Sequence, residues 1–150
     1  MTKSDTDLLA QIEATLLPLV SSLNLRVIDH SESGSFDNAS VTLEGGDLRL
    51  RIVRERSQVF VDLGPAWDPK SSFDSAVFMD YLGLSNDAGF HDRDVRSVMR
   101  GLGSFLRSFS DELSNKFSRA NFAATKAELT TLRNARAAAR LSFEKGGGAA

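Results

Sequence analysis

The chain of 150 residues contains no cysteine, three prolines, one tryptophan and two histidines. Without cysteine there is no disulfide, no thiolate metal site and no cysteine nucleophile, which fits a reducing compartment. His30 and His91 are far apart in sequence, and neither stands in a two-histidine helical motif such as H-E-x-x-H. Each therefore reads as a surface or loop histidine. Serines are abundant, but no G-x-S-x-G elbow is present. Gly101-Leu102-Gly103 lacks a third glycine at the dinucleotide spacing and lies inside a helical pattern, which argues against a phosphate cradle. No apolar run approaches the length of a membrane span and no signal-peptide pattern is present, so the expected location is the cytoplasm.

One group of residues looks metal-friendly: Asp87, His91, Asp92 and Asp94. It has neither the spacing nor the turn glycine of an EF-hand. Asp92 and Asp94 are more simply read as acidic residues at a helix start, where they satisfy unpaired N–H groups and oppose the helix dipole. No catalytic residue, metal ligand or cofactor is expected.

What the chain does contain is enough apolar material for one core. At 41% hydrophobic and 25% charged residues it has the balance of a single soluble domain, here taken as residues 1–145. The net charge of −2 hides an asymmetry. From Lys116 onward seven Lys/Arg stand against Glu128 and Glu144, a balance of +5, whereas residues 1–115 carry 11 against 18, a balance of −7. A solvated basic helix beside its own acidic body is the plain reading, and a nucleic-acid arm the sharper one.

The strands are the best-defined part. Alternation over Ala39–Leu43 and Leu48–Ile52, with Gly45-Gly46 as a two-residue turn, predicts a hairpin that sets Leu43 opposite Leu48, Val41 opposite Leu50 and Ala39 opposite Ile52. Thr42 then faces Arg49 and Ser40 faces Arg51 on the wet side. From the third strand (48–54) to the fourth (59–64), a four-residue loop over 55–58 is preferred to a Glu55-Arg56 turn, whose residues suit positive φ poorly. That register pairs Val53 with Phe60, Arg51 with Asp62 and Leu50 with Leu63. A first strand over 25–29 and a loop over 31–38 complete a four-stranded antiparallel meander.

Helices flank it. Leu9, Ile12, Leu16, Leu19, Val20 and Leu23 repeat at three- and four-residue spacing after a Ser4-Asp5 cap, with a kink or break expected at Pro18. A short helix is predicted over 73–82, capped by Ser72 and stopped at Gly83, followed by a linker over 85–91. The core helix starts near Asp92 and presents Val95, Val98, Met99, Leu102, Phe105, Leu106, Phe109, Leu113 and Phe117 on one face. Beside them Ser97, Gly101, Ser104 and Ser108 form a small-residue stripe that would admit another helix. The last helix offers an alanine stripe to match: Ala120, Ala124, Ala127, Thr131, Ala135 and Ala138. Two arrangements are open, a tight αα-hairpin broken near 118–121 or one long helix whose distal basic part, 119–145, projects. Residues 146–150 read as a flexible tail.

The patterns F-D-N-A-S-V-T-L at Phe36–Leu43, L-R-L-R-I-V-R-E-R at Leu48–Arg56 and V-F-V-D-L at Val59–Leu63, in the order helix, meander, helices, resemble small uncharacterised bacterial proteins. Some of these look like immunity proteins of polymorphic toxin systems. The resemblance implies a toxin-neutralising or regulatory binding role and carries over no site residues; the long basic C-terminal helix departs from it.

The expectation is an α+β domain with the helices on one face of an antiparallel sheet, acting as a non-enzymatic protein-binding module. Its candidate contacts are Arg51, Phe60 and Asp62 on the wet face of the sheet and Trp67 in the loop Gly64–Pro69. A stripe of Lys126, Arg133, Arg136 and Arg140 on the last helix joins them. The partner is expected to be a protein, a toxin or a second copy. The rival reading is a nucleic-acid-associated protein that sets the same basic stripe on phosphates.

Overall fold

The computed structural model describes residues 7–32, 38–56, 58–84 and 94–149, with side chains as far as Leu141. The expected Ser4-Asp5 cap, the 85–91 linker and the group Asp87, His91 and Asp92 lie outside the described residues. Helix α1 (Leu8–Gln11) passes directly into a π-helical turn (Ile12–Leu16), then α2 (Leu17–Leu19) and a 3₁₀ turn (Ser21–Leu23). Strands β1 (Arg26–Glu32), β2 (Ala39–Gly45), β3 (Leu48–Glu55), β4 (Gln58–Pro65) and β5 (Phe73–Asp74) follow. Then come α3 (Ser75–Tyr81), α4 (Val95–Lys116) and α5 (Phe122–Ala149). The architecture is the expected α+β sheet with helices on one face. The sheet is antiparallel and ordered β1-β2-β3-β4-β5, five strands where four were expected.

The extra strand explains a misplaced helix start. Phe73 pairs with Leu63 and Asp74 with Asp62, so α3 begins at Ser75, two residues later than expected. Its cap is Asp74, whose carboxylate accepts the Ala76 N–H at 2.7 Å, and not Ser72. The stop at Gly83, with φ +73°, is as expected. At the other end of the chain Asp7 caps α1 by accepting the Leu9 N–H at 3.0 Å. Pro18 produces no separate segment. The residues before it widen into the π turn, where the Leu17 N–H reaches the Ile12 carbonyl, and the helix then continues for one more turn. The proline's missing donor is thereby absorbed within a continuous helix.

The first hairpin is shifted from its expected register. Gly45 pairs with Leu48, the turn is Gly46-Asp47, and Leu43 faces Leu50, Val41 faces Ile52, Thr42 faces Arg51 and Ser40 faces Val53. Only Gly46 of the two turn residues has positive φ (+58°), the pattern of a type II′ turn. Gly45 answers a different demand: a Cβ there would lie 2.7 Å from the Leu23 carbonyl oxygen, where the chain enters β1. Each partner moves by two residues, an even number, so every side chain keeps its face.

The second hairpin has the expected pairs, Arg51 with Asp62, Val53 with Phe60 and Leu50 with Leu63. Its loop is tighter than expected, because Glu55 and Gln58 also pair. Arg56 takes φ +50°, with its N–H held by the Asn38 side-chain oxygen at 3.0 Å.

One face of the sheet and the helices share a core. Val41, Leu43, Leu50, Ile52, Val59, Val61 and Leu63 are buried against Leu8, Ile12, Leu16 and Val20. From α4, Val95, Val98, Met99, Leu102, Phe105, Leu106 and Leu113 are buried there too, with Phe117 just past its end. Phe109, expected on the same face, is half-buried, and there the backbone leaves helical angles (φ −117°, ψ 16°). Each fully buried leucine contributes about 1.5–3 kcal/mol.

The small-residue stripe does not meet the last helix. Ser97, Gly101, Ser104 and Ser108 are all exposed. Close approach occurs instead at Gly103, where a Cβ would fall 2.7 Å from a Leu19 methyl, so it is the N-terminal helix that nests against α4. The break between α4 and α5 falls where expected. Asn121 donates from its amide to the Asn115 carbonyl and side-chain oxygens at 3.1 and 2.6 Å, and the Ser118 hydroxyl donates to the same carbonyl at 2.8 Å. From there α5 packs on α3. It buries Phe122, Thr125 and Leu129, half-buries Leu132 and Arg136, and leaves Ala120, Ala124, Ala127, Thr131, Ala135 and Ala138 exposed. The helix runs on through the three glycines to Ala149, past the point where a tail was expected.

Candidate functional site

The opposite face of the sheet is where Arg51, Phe60 and Asp62 come together. The strand alternation that buries Leu50, Ile52, Val61 and Leu63 turns Arg51, Val53, Phe60 and Asp62 the other way. The register then places Thr42, Arg51, Asp62 and Asp74 in one row across β2 to β5. Ser40, Val53 and Phe60 form the next row, and Glu44 and Arg49, paired at 3.4 Å, the row on the other side. Arg51 is exposed, Phe60 and Asp62 are half-buried, and Thr42 is buried.

The charges in the central row are unevenly compensated. Asp62 is held above the usual carboxylate range, first because burial disfavours its charged form and second because the Asp74 carboxylate faces it across β4 and β5; Arg51 pulls the other way. Among the described residues Arg51 and Asp62 make no direct ion pair although they are cross-strand neighbours. Asp74 cannot turn away, since its carboxylate caps α3. Like charges directly opposite on a sheet are unfavourable, so the row favours the protonated form of Asp62 more than an isolated carboxylate would.

The other candidates have internal contacts. The Trp67 indole N–H donates to the Phe117 carbonyl at 2.8 Å, its ring meets Phe122 edge-on at 5.6 Å, and the Arg119 guanidinium lies 4.9 Å from its centroid. Phe117 in turn packs on Phe78 at 5.3 Å, which makes an aromatic corner between α3, α4 and α5. On α5, Arg136 pairs with Asp80 of α3 at 2.7 Å, and the Arg133 guanidinium sits 4.8 Å from the Phe73 ring centroid. Lys126 and Arg140 are exposed. Seven-residue spacing put Lys126, Arg133 and Arg140 on one flank of the helix but could not tell that this flank borders the docked face.

Two residues of the sheet row escaped the sequence reading. The sequence pattern places Asp74 at the start of a helix, which hides its position opposite Asp62, and a Gly45-Gly46 turn pairs Thr42 with Arg49. Asp94 is the N-cap of α4, accepting the Arg96 N–H at 3.1 Å, as expected of an acidic residue at a helix start. His30 is exposed on β1. Among the described residues no three His, Asp or Glu side chains come together as a metal site, and no helix is long and apolar enough to cross a membrane. Comparison with family models, with curated proteins and with solved structures finds no match to this chain.

Proposed function

We propose that this chain is a non-enzymatic protein-binding module of the cytoplasm, and that it binds its partner through the sheet face carrying Arg51, Phe60 and Asp62. One observation carries the reading: β3 and β4 bring a guanidinium, an aromatic ring and an under-compensated carboxylate side by side on the face away from the described helices. Aromatic residues and arginine are the usual anchors of protein interfaces, and carboxylates with shifted pKa gather at functional sites. Neutralisation or regulation of the partner, in the manner of an immunity protein or antitoxin, is the sharpest form of this role.

The test is co-purification from the native host, identification of the retained protein by mass spectrometry, and reconstitution of the pair from purified components. Arg51→Glu and Phe60→Ala should each weaken the reconstituted complex about tenfold or more while α5 variants leave it intact. A complex indifferent to both sheet substitutions would remove the reading. The nucleic-acid alternative has less support, because Arg133 and Arg136 are already engaged with Phe73 and Asp80. With Lys126 and Arg140 left on that stripe, phosphate binding by the stripe alone should show a log-log salt slope of about −2 or shallower. A micromolar, steeply salt-dependent complex with duplex DNA would reverse the preference.

A further inference from the structure

The outer face of α4 is left without a described partner, and its charge runs against that of the rest of the body. Residues 1–115 carry a net −7, yet the stretch 95–110 holds Arg96, Arg100 and Arg107 and no acidic residue, with Asp111 one turn beyond Arg107 at the edge of the row. All three arginines are exposed, and among the described residues no ion pair or side-chain hydrogen bond engages their guanidinium groups. At 100° per residue they fall within a sector of about 40° on one flank of the helix, separated along its axis by about 6 and about 10.5 Å. Next to them run Ser97, Gly101 and Ser104, also exposed, which leave the backbone uncovered enough for a second helix to approach to about 8 Å.

We infer that this face docks an α-helix of a partner protein that carries carboxylates at i, i+4 and i+11 opposite Arg96, Arg100 and Arg107 and small residues opposite Gly101. The occupant is a helix because a helix repeats the rise of the arginine row and because the flat, small-residue strip serves backbone approach. Phosphates would need the cations alone and would bring a polyanion over an acidic body. A second copy fits poorly, since two-fold pairing would bring the same three arginines of each chain onto one seam, where like charges repel. The inference rests on the protein-binding reading but uses a different surface from the sheet face.

The probe is a fluorescently labelled alanine-based helical peptide with glutamate at i, i+4 and i+11, a matching peptide with glutamine, and a short DNA duplex. Fluorescence anisotropy with the full chain should show binding of the glutamate peptide that weakens with salt, with at least about tenfold weaker binding of the glutamine peptide. Arg100→Glu combined with Arg107→Glu should abolish it. Gly101→Leu, which raises helix propensity at an exposed position and so preserves the fold, should weaken it about tenfold by blocking approach. Equal binding of the two peptides, indifference to Gly101→Leu, no binding at all, or a preference for the duplex would each overturn the inference. Arg51→Glu should leave peptide binding unchanged, so failure of the sheet-face reading and failure of this one are told apart.

Discussion

The two long helices hold to the body by different physics. Helix α4 spans 22 residues and buries eight of them, a continuous apolar face from Val95 to Leu113. Helix α5 spans 28 residues and, over the side chains described, buries Phe122, Thr125 and Leu129. The first is part of the core and derives its stability from area removed from water. The second is tethered near its start by an aromatic corner and further along by single polar contacts, Arg133 over Phe73 and Arg136 on Asp80. The longer, alanine-rich helix is thus the less firmly attached, and the serine- and glycine-bearing one is the core helix. The difference lies in how many large apolar side chains each presents at three- and four-residue spacing.

Substitutions can break this contrast at each level. The largest effect is expected in α4: Leu102→Ala or Phe105→Ala should cost about 2–5 kcal/mol in denaturant unfolding. A loss below about 1 kcal/mol would place that face outside the core. Next comes the corner. Trp67→Phe keeps the ring and removes the bond to the Phe117 carbonyl, for an expected loss of about 1–3 kcal/mol. A value near zero would leave the α4–α5 junction held by ring packing alone.

The tethers of α5 should be weaker. A double-mutant cycle on Arg136 and Asp80, both about one-third exposed or less, should give a coupling of about 0.2–1 kcal/mol that fades with salt. Larger coupling would make α5 a more integral part of the body than its burial suggests.

The smallest effect concerns pH. Asp62 titrates above its usual range in the folded state, so the folded protein binds its proton more readily than the unfolded chain does. That contribution to stability is fully present below the unfolded pKa near 3.8 and is lost as pH rises through the folded value. Asp62→Asn should therefore raise Tm slightly at neutral pH and flatten that part of the stability profile. A lower Tm would mean that the Arg51 charge outweighs burial and Asp74.

Much of the fold was legible because its signals are local. Alternation by two marked β2, β3 and β4 and their core faces, and the loop choice between β3 and β4 followed from pairing Arg51 with Asp62. The misplaced Gly45-Gly46 turn changed partners but not faces, since a shift of two residues preserves the pleat. Strand β5 was hidden because two residues carry no periodicity, and Phe73 with its neighbours suits a helix start equally well. The candidate site was half legible: Arg51, Phe60 and Asp62 were identified from alternation, whereas Asp74 belongs to the row only through a strand with no pattern of its own.

The sequence by itself determined the long helices and the strands β2 to β4, with the apolar face of each strand and of α4, because side-chain periodicity is a property of neighbours along the chain. Only the tertiary structure decided where α5 docks. Its alanine stripe and the small-residue stripe of α4 match in pattern, yet small residues bury little area. The large side chains at the corner, Trp67, Phe78, Phe117 and Phe122, remove more apolar surface from water by drawing α5 onto α3. That choice set Arg136 against Asp80 and the Arg133 guanidinium beside the Phe73 ring, and left the arginine row of α4 facing solvent.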